Sequence, residues 1–385
     1  MLKSITKKQT VYFLFIVVAL LVSFQLVLRG SRDFDSSGFH YTHYNNYLIF
    51  KQSFSHLIDG KDLYASYPAE HWDLYKYTPL FALSMGVFQW VPDSVGLILW
   101  NLLNALVLFG GIYALPRLTL NQKFTVSLLV LLELITSLQN AQSNALLVGL
   151  ILYAFAYAER GKMHWATLFV VLSVFIKLYG VIAFLMFLFY PNKWKSALYA
   201  GVWTVLGVLL PMFVVGWNQN LYLFQQFLGM LKSDHDASYG LSVMGIIHGW
   251  TKLEVSKLGV LLVGVVLLLW PYLRWKTFVY DAVRHTLVVL LLMWMVLFNH
   301  KAESPTFIIA VVAMAWAFAL FPEWKLFRAT VLVCIAVTSL SPTDLVPAFI
   351  RNNYVNPLVI KAVPSLVVFV WLTVKSKSHP RFLSR

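Results

Sequence analysis

The sequence has little cysteine and little charge of either sign. Its single cysteine, Cys334, lies inside an apolar run, so an intrachain disulfide scaffold is excluded. Charged residues make up 12% of the 385 residues, whereas soluble domains carry about 25%. The sequence also has no Walker-type element and no Gly-x-Gly-x-x-Gly fingerprint. These absences exclude a disulfide-rich secreted protein and argue against a soluble nucleotide-dependent enzyme.

Apolar residues make up most of the chain. They reach 59% of the sequence, and the mean hydropathy is +0.72. The apolar runs are continuous, whereas a transmembrane β-barrel would alternate apolar and polar residues. The pattern predicts one all-α domain over residues 1–385, a polytopic transmembrane helix bundle of about 10–13 hydrophobic segments. Residues 11–28 form the first segment, and no small-residue cleavage site follows it, so an uncleaved helix is expected.

Basic residues outnumber acidic ones by 30 to 16. They occur in short clusters between apolar runs, as the positive-inside rule predicts, so membrane topology and not nucleic-acid binding explains them. The N-terminus and the tail 375–385 are therefore predicted to be cytoplasmic, with residues 80–374 forming the rest of the bundle. We expect a multi-pass integral membrane protein located in the bacterial inner membrane.

The longest polar interval, residues 30–79, follows the first helix and is predicted to be external. It holds six of the 16 acidic residues and four of the ten histidines. Within it, residues 44–58 carry aromatic side chains at helical spacing, which predicts an amphipathic helix along the membrane surface. The histidines lack metal-ligand spacing, so no cofactor is expected, although a divalent metal stays open. The alternative for the interval is a solvated connector.

Further polar loops fall on the same predicted face as residues 30–79. They are residues 139–144, 176–180, 217–250, 299–305 and 341–357. We therefore expect these loops to converge at one side of the membrane.

Short motifs follow one another in a fixed order along the first half of the chain. They are Gly60-Lys61-Asp62-Leu63-Tyr64, Tyr77-Thr78-Pro79, Trp100-Asn101-Leu102-Leu103-Asn104, Ala141-Gln142-Ser143-Asn144 and Ile176-Lys177-Leu178-Tyr179-Gly180. In order and spacing, residues 30–195 resemble glycosyltransferase family 87, with Ala141 where that family has glycine. The resemblance implies a GT-C fold and a mannosyltransferase-like enzyme of the cell envelope. Such an enzyme moves a hexose from a polyprenyl-phosphate donor to a lipid or glycan acceptor at the external face, with inversion.

The resemblance also implies a catalytic aspartate in the first external loop. By spacing, that position falls on Asn46, whose amide cannot act as a general base. The implied base must then come from another acid, and we rank Asp35 first, Asp33 second and Glu303 third. Asp33 adjoins Arg32 and can be paired with it, which is why it ranks below Asp35.

A departing lipid phosphate needs cations or hydrogen-bond donors. Lys177 and Lys301 are predicted to contact it, since a cation within an apolar stretch is a functional candidate. The alternative for Lys177 is a lysine that snorkels at a hairpin tip. The full set of predicted substrate-binding residues is Lys177, Lys301, His300, Lys76, Gln142, Asn144, Asn46 and His43.

Two other classes of protein fit parts of the pattern. A secondary transporter or lipid flippase would also have interrupted helices and membrane-embedded charges. A non-catalytic subunit of an envelope-assembly complex would tolerate an amide at residue 46. Against transport, the sequence has no internal repeat and its polar groups cluster on one predicted face. The expected partners are the sugar donor, the acceptor and membrane lipid, with no nucleic acid.

Overall fold

The computed structural model describes residues 6–33, 38–233 and 238–378. The α helices are α1 Lys7–Leu28, α2 Asn45–Ile58, α3 Pro79–Ser84, α4 Asp93–Ala114, α5 Leu120–Leu129, α6 Leu131–Gln139, α7 Asn144–Glu159, α8 Met163–Ile176, α9 Lys193–Leu209, α10 Met212–Val215, α11 Trp217–Ser233, α12 Val243–Thr251, α13 Lys257–Leu269, α14 Asp281–Leu297, α15 Phe307–Leu320, α16 Lys325–Leu340, α17 Ala348–Ile350 and α18 Val363–Ser378. Tighter 3₁₀ helices occupy Met85–Phe88, Leu178–Phe189, Trp270–Val279 and Ser304–Thr306, and a π helix occupies Arg351–Val355. A two-residue antiparallel pair joins β1 Ser31–Arg32 to β2 Tyr41–Thr42. The predicted all-α helix bundle is confirmed.

Within the described residues, four helical stretches are long and apolar enough to cross a membrane. They are Lys7–Leu28, Asp93–Ala114, Lys193–Val215 and Lys257–Val279. Six shorter apolar helices accompany them, namely Pro79–Phe88, Asn144–Glu159, Met163–Ile176, Leu178–Phe189, Ser304–Leu320 and Val363–Lys375. The predicted first segment, residues 11–28, lies within α1. This helix begins earlier, at Lys7, because Thr6 and Gln9 cap it reciprocally.

The centre of the bundle is formed by α15 and by α14 from Thr286 onward, which are apolar on all sides and buried along almost their whole length. In contrast, α9 and α13 belong to stretches that are also apolar enough to cross a membrane, but they are mostly exposed, with Leu198 and Leu258 among their exposed side chains. An exposed apolar surface of this kind suits contact with lipid. Burial thus separates helices that composition alone does not distinguish.

Two long helices, α4 and α7, pack closely at a pair of glycines. A Cβ atom at Gly149 would lie 2.8 Å from the carbonyl oxygen of Val107. A Cβ atom at Gly111 would lie 2.8 Å from the carbonyl oxygen of Gly149. Both positions therefore require glycine for the close approach of the helices.

A buried ion pair joins α6 to the turn before α18. The Nζ of Lys361 donates to Oε1 of Glu133 at 2.8 Å, and both side chains are almost completely buried. The apolar run 124–138 carries this carboxylate and is divided between α5 and α6 at Val130. The partner of the buried Glu133 is therefore a lysine of the same chain.

Residues 217–250, expected to be a polar loop, are largely helical in α11 and α12. The prediction was wrong because polar residues at Trp217–Asn220 hid an amphipathic pattern further along. Leu223, Phe227 and Met230 follow at helical spacing and are all buried. The predicted helix 44–58 is observed as α2, which buries Tyr47, Phe50 and Leu57; its orientation to the membrane surface stays a prediction.

Candidate active site

A cavity of about 900 Å³ opens where several of the polar loops meet. Its walls come from α2, from residues 72–78, 139–142 and 176–182, from α11 and α14, and from residues 298–306. Five of the six loops expected to converge contribute lining residues, namely residues 30–79, 139–144, 176–180, 217–250 and 299–305, and residues 341–357 contribute none. These five therefore meet at one cavity, while the placement of all six at one side of the membrane stays a prediction.

The end of the long loop is tied to the bundle by hydrogen bonds from motif residues. The hydroxyl of Tyr64 donates to the carbonyl oxygen of Tyr77 at 3.0 Å. The Thr78 hydroxyl caps α3 and donates to the carbonyl oxygen of Phe175 at 2.6 Å, near the end of α8. The Trp100 indole donates to the carbonyl oxygen of Ala141 at 2.9 Å. These contacts hold the loop, α8 and the residues before α7 around one cavity.

Lys177 lies between α8 and the 3₁₀ helix that follows, at the tip of a helical hairpin. Its Nζ donates to Oε1 of Gln142 at 3.2 Å and to Oδ1 of Asn144 at 2.9 Å. The Tyr179 hydroxyl donates to the same Asn144 oxygen at 3.1 Å, and the Tyr77 hydroxyl donates to Gln142 at 3.3 Å. Gln142 and Asn144 thus fix the ammonium group through neutral oxygens.

The electrostatic surroundings of Lys177 leave its positive charge largely uncompensated. Within the described part of the chain it forms no ion pair, and its nearest aromatic ring, Tyr77, has its centroid 5.7 Å from Nζ. Burial lowers the pKa of the Lys177 ammonium to about 8, and the Glu303 carboxylate acts in the opposite direction. The group is therefore still mostly protonated at neutral pH and faces into the cavity.

Cationic side chains outnumber carboxylates in the described lining. The lysines and arginines are Arg29, Arg32, Lys76, Lys177 and Lys301, and the histidines are His43 and His300. Partial burial lowers the pKa of His43, and the charges of Arg29 and Arg32 lower it further. An anion in this cavity would meet a positive potential.

The three carboxylates ranked from sequence as the possible base differ in whether they line the cavity. Glu303 lines the cavity at the start of the short helix Ser304–Thr306, where its backbone carbonyl oxygen accepts the Thr306 N–H at 2.9 Å and its own N–H donates to the Thr306 hydroxyl at 3.2 Å. Asp33 is exposed and outside the cavity lining, where one of its oxygens lies 2.5 Å from Nδ1 of His40. Asp35 lies outside the described residues.

One carboxylate of the lining, Asp73, was not among the predicted site residues. It pairs with Lys76, whose Nζ lies 3.1 Å from Oδ1, and its backbone has a left-handed φ of 74°. The signal available in the sequence was an acid three residues before a lysine, immediately ahead of the Tyr77-Thr78-Pro79 motif. Arg29 and Arg32 were also missed, since they read as the flank of the first helix.

The predicted substrate-binding residues mostly meet in the cavity. His43, Asn46, Lys76, Gln142, Lys177, His300 and Lys301 line it, and Asn144 lies behind Lys177. Asn46, at the position of the family aspartate, donates its amide to the carbonyl oxygen of Asn140 at 2.9 Å. Its contact is therefore with the polar segment that precedes α7.

The cavity lining also includes large apolar side chains. Phe227, Met230, Leu261, Trp294 and Phe298 line it from α11, α13 and the end of α14, and we call these five side chains the apolar wall. The lining thus combines cations with large apolar side chains. Such a combination fits a ligand with an anionic head and a hydrocarbon chain.

The model of glycosyltransferase family 87 matches residues 75–298, which is more than half of the chain. The match contains the end of the long loop, Lys177 and the wall from α14. No curated protein matches the chain.

Proposed function

The chain belongs to glycosyltransferase family 87, and from this membership we propose that it takes its sugar from a polyprenyl-phosphate donor. The observation that carries the proposal is a cavity lining that combines cations with large apolar side chains. A sugar linked through a phosphate to an isoprenoid chain has the matching combination of groups. Apolar helices and the family together make the chain a membrane glycosyltransferase.

The cations have a defined task in this proposal. Lys177 neutralises the phosphate as it leaves. Its hydrogen-bond partners in the protein are neutral, so its ammonium group can also donate to an anionic phosphate oxygen. Lys301 and His300 line the same cavity from the loop after α14 and support the phosphate there. A charge-assisted hydrogen bond is about twice as strong as a neutral one.

The apolar wall takes the isoprenoid chain. Phe227 and Met230 of α11 and Leu261 of α13 lie along it, and α13 is largely exposed on its outer side. A lipid substrate can therefore remain partly in the bilayer while its phosphate reaches Lys177. The transferred sugar is proposed to be a hexose, mannose-like, as the family resemblance implies.

The reaction is proposed to invert the anomeric carbon in one displacement. A carboxylate takes the proton from an acceptor hydroxyl, the acceptor oxygen bonds to the anomeric carbon, and the bond to the lipid phosphate breaks. Of the carboxylates ranked from sequence, Glu303 is the one in the described cavity lining. The acceptor is a lipid or glycan at the external face, with both termini cytoplasmic, and the product serves the cell envelope.

The proposal is tested by incubating the purified protein in mixed micelles with a radiolabelled polyprenyl-phosphate hexose. Label is expected to move into an added lipid or glycan acceptor, and to stay on the donor when acceptor is omitted. The same hexose supplied as a nucleotide sugar should give no product. Movement of intact donor across a liposome membrane, without transfer to any acceptor, would instead support a flippase.

A further inference from the structure

Two carboxylates line the cavity among the described residues, Asp73 and Glu303. We propose that Asp73 is the general base of the transfer reaction and that Glu303 is a positioning residue on the phosphate side. This inference rests on the proposed function, because a general base is needed only if an acceptor hydroxyl is the nucleophile. It gives the reaction a carboxylate although α2 carries the amide Asn46 where the family aspartate is expected.

Asp73 lines the cavity next to the start of α2, the helix that carries Asn46. Asn45, the neighbour of Asn46 in α2, holds the backbone of Trp72 with both of its amide atoms. Its Oδ1 accepts the Trp72 N–H at 2.9 Å, and its Nδ2 donates to the Trp72 carbonyl oxygen at 2.7 Å. The next residue is Asp73, so this clamp brings a carboxylate from the far end of the loop to the start of α2.

The backbone of Asp73 is held in an uncommon conformation. Its φ of 74° is left-handed, a conformation that is uncommon outside glycine and is sustained only where the surroundings impose it. Here the surroundings are the Asn45 clamp on one side and a 3.0 Å contact between His71 Nδ1 and the Asp73 carbonyl oxygen. Burial lowers the pKa of His71, so a neutral ring donates this bond near pH 7. The hydrogen bonds of the loop thus hold Asp73 in a backbone conformation that is unfavourable by itself, and they fix the position of its carboxylate.

In an inverting displacement, the acceptor attacks the anomeric carbon from the face opposite the leaving phosphate, so the base and the phosphate-binding cation lie on opposite sides of the sugar. Glu303 follows Lys301 by two residues in the loop after α14, where both line the cavity, and its charge acts on Lys177. We therefore assign it to the phosphate side. Asp73 is held by α2 through the Asn45 clamp, and its Oδ1 lies 3.1 Å from Nζ of Lys76.

An oxygen of Asp73 accepts the proton of the acceptor hydroxyl while the acceptor oxygen forms a bond to the anomeric carbon. The bond between that carbon and the phosphate oxygen breaks, and its electron pair leaves with the polyprenyl phosphate. The proton on Asp73 is then lost to water, which reaches a side chain that is 42% exposed.

The test is Asp73→Asn, assayed for transfer with the radiolabelled donor and acceptor. Asparagine tolerates a left-handed backbone and can still accept the Leu74 N–H, which Asp73 binds at 2.7 Å. Turnover is expected to fall by about 10²–10⁴-fold, while the affinity for polyprenyl phosphate stays within about threefold because ground-state binding is not lost. The affinity measurement also reports whether the cavity of the variant is folded.

A matched control exists in the same loop. Asp59 is exposed, lies outside the cavity lining and pairs with Lys61 at 3.3 Å, so Asp59→Asn should keep wild-type turnover. Asp73→Glu retains a carboxylate and should be more active than Asp73→Asn. In Asp73→Asn, the acidic limb of the pH–rate profile, which reports the base, should also disappear.

Two results would overturn the inference. One is wild-type turnover in Asp73→Asn together with a large loss in Glu303→Gln, which would make Glu303 the base and leave the proposed function intact. The other is equal turnover in Asp73→Asn and Asp73→Glu, which would show that the carboxylate itself is not used. Failure of the proposed function has a different signature, since the wild-type protein would then transfer no sugar from the lipid donor.

Discussion

The charged groups near the two ends of α14 differ in their partners. At its beginning, Arg284 binds both oxygens of Glu159 at 2.6 and 2.8 Å and also contacts Asp281. Arg117 contacts the same Asp281, and the Tyr190 hydroxyl donates to Glu159 at 2.5 Å. We call these five residues the α14 entry cluster. At the other end of α14, Trp294 and Phe298 lead into the cavity, where Lys177 binds neutral amide oxygens.

This difference separates structural charge from charge available to a ligand. In the α14 entry cluster, the cations and carboxylates pair with one another. The cluster therefore joins α7 to α14, and its charges are already paired within the protein. Removing one partner of a buried pair is costly because the other charge stays buried alone. In the cavity, the amide partners of Lys177 leave its charge free to act on an anion. Substitutions at the two ends should therefore affect different properties of the protein.

The largest effect is expected at the α14 entry cluster and should be on stability. Arg284→Met leaves Glu159 and Asp281 without their shared guanidinium, and it should lower the free energy of unfolding by about 3–5 kcal/mol. Denaturant unfolding in mixed micelles measures this. Transfer activity per folded molecule should remain near wild type, because Arg284 is not in the cavity lining. Loss of activity at unchanged stability would refute the division between the two ends.

The next effect is expected at Lys177 and should be on activity. Lys177→Met removes the cation from the departing phosphate, so turnover should fall by about 10²–10³-fold. The free energy of unfolding should change little, since the lysine is not part of a buried ion pair. Lys61→Met is the matched control, because Lys61 is an exposed lysine of the long loop outside the cavity lining. A comparable loss in Lys61→Met would mean that general positive charge, and not the cavity, is responsible.

A smaller effect should come from pH. The pKa of Lys177 is lowered to about 8, so its positive charge is present below this pH and is lost as pH rises through it. The KM for the donor should therefore increase above about pH 8, by roughly tenfold per unit at most. In Lys177→Arg the side chain stays charged over this range, and the increase should vanish. A wild-type KM that is constant between pH 7 and pH 9.5 would contradict a phosphate contact by Lys177.

Much of the architecture could be predicted from local patterns. Aromatic spacing at Tyr47 and Phe50 predicted the helix that forms α2, and continuous apolar runs predicted the bundle. Lys177 stood out because it is a cation between apolar segments, and the structure places it in the cavity. These signals are local, since each depends on residues within a few turns of one another.

Contacts between distant segments could not be predicted in the same way. Glu133 and Lys361 are 228 residues apart, so no local pattern joins them. Asp73 was missed for the same reason, because its position depends on the side chain of Asn45, 27 residues before the Trp72 backbone that it binds. The ranking of Asp33 used its closeness to the first helix, whereas its position depends on the β1–β2 pair and on His40.

The central claim is that the cavity holds a lipid phosphate through Lys177. The most direct measurement is equilibrium binding of a polyprenyl phosphate without sugar to the protein in nanodiscs, compared between wild type, Lys177→Met and Lys61→Met. We predict a loss of at least about tenfold in affinity for Lys177→Met, equivalent to one lost charge-assisted contact, and no change for Lys61→Met. The corresponding polyprenol, which lacks the phosphate, should bind weakly to all three. Wild-type affinity in Lys177→Met, or polyprenol binding as tight as that of the phosphate, would contradict the claim.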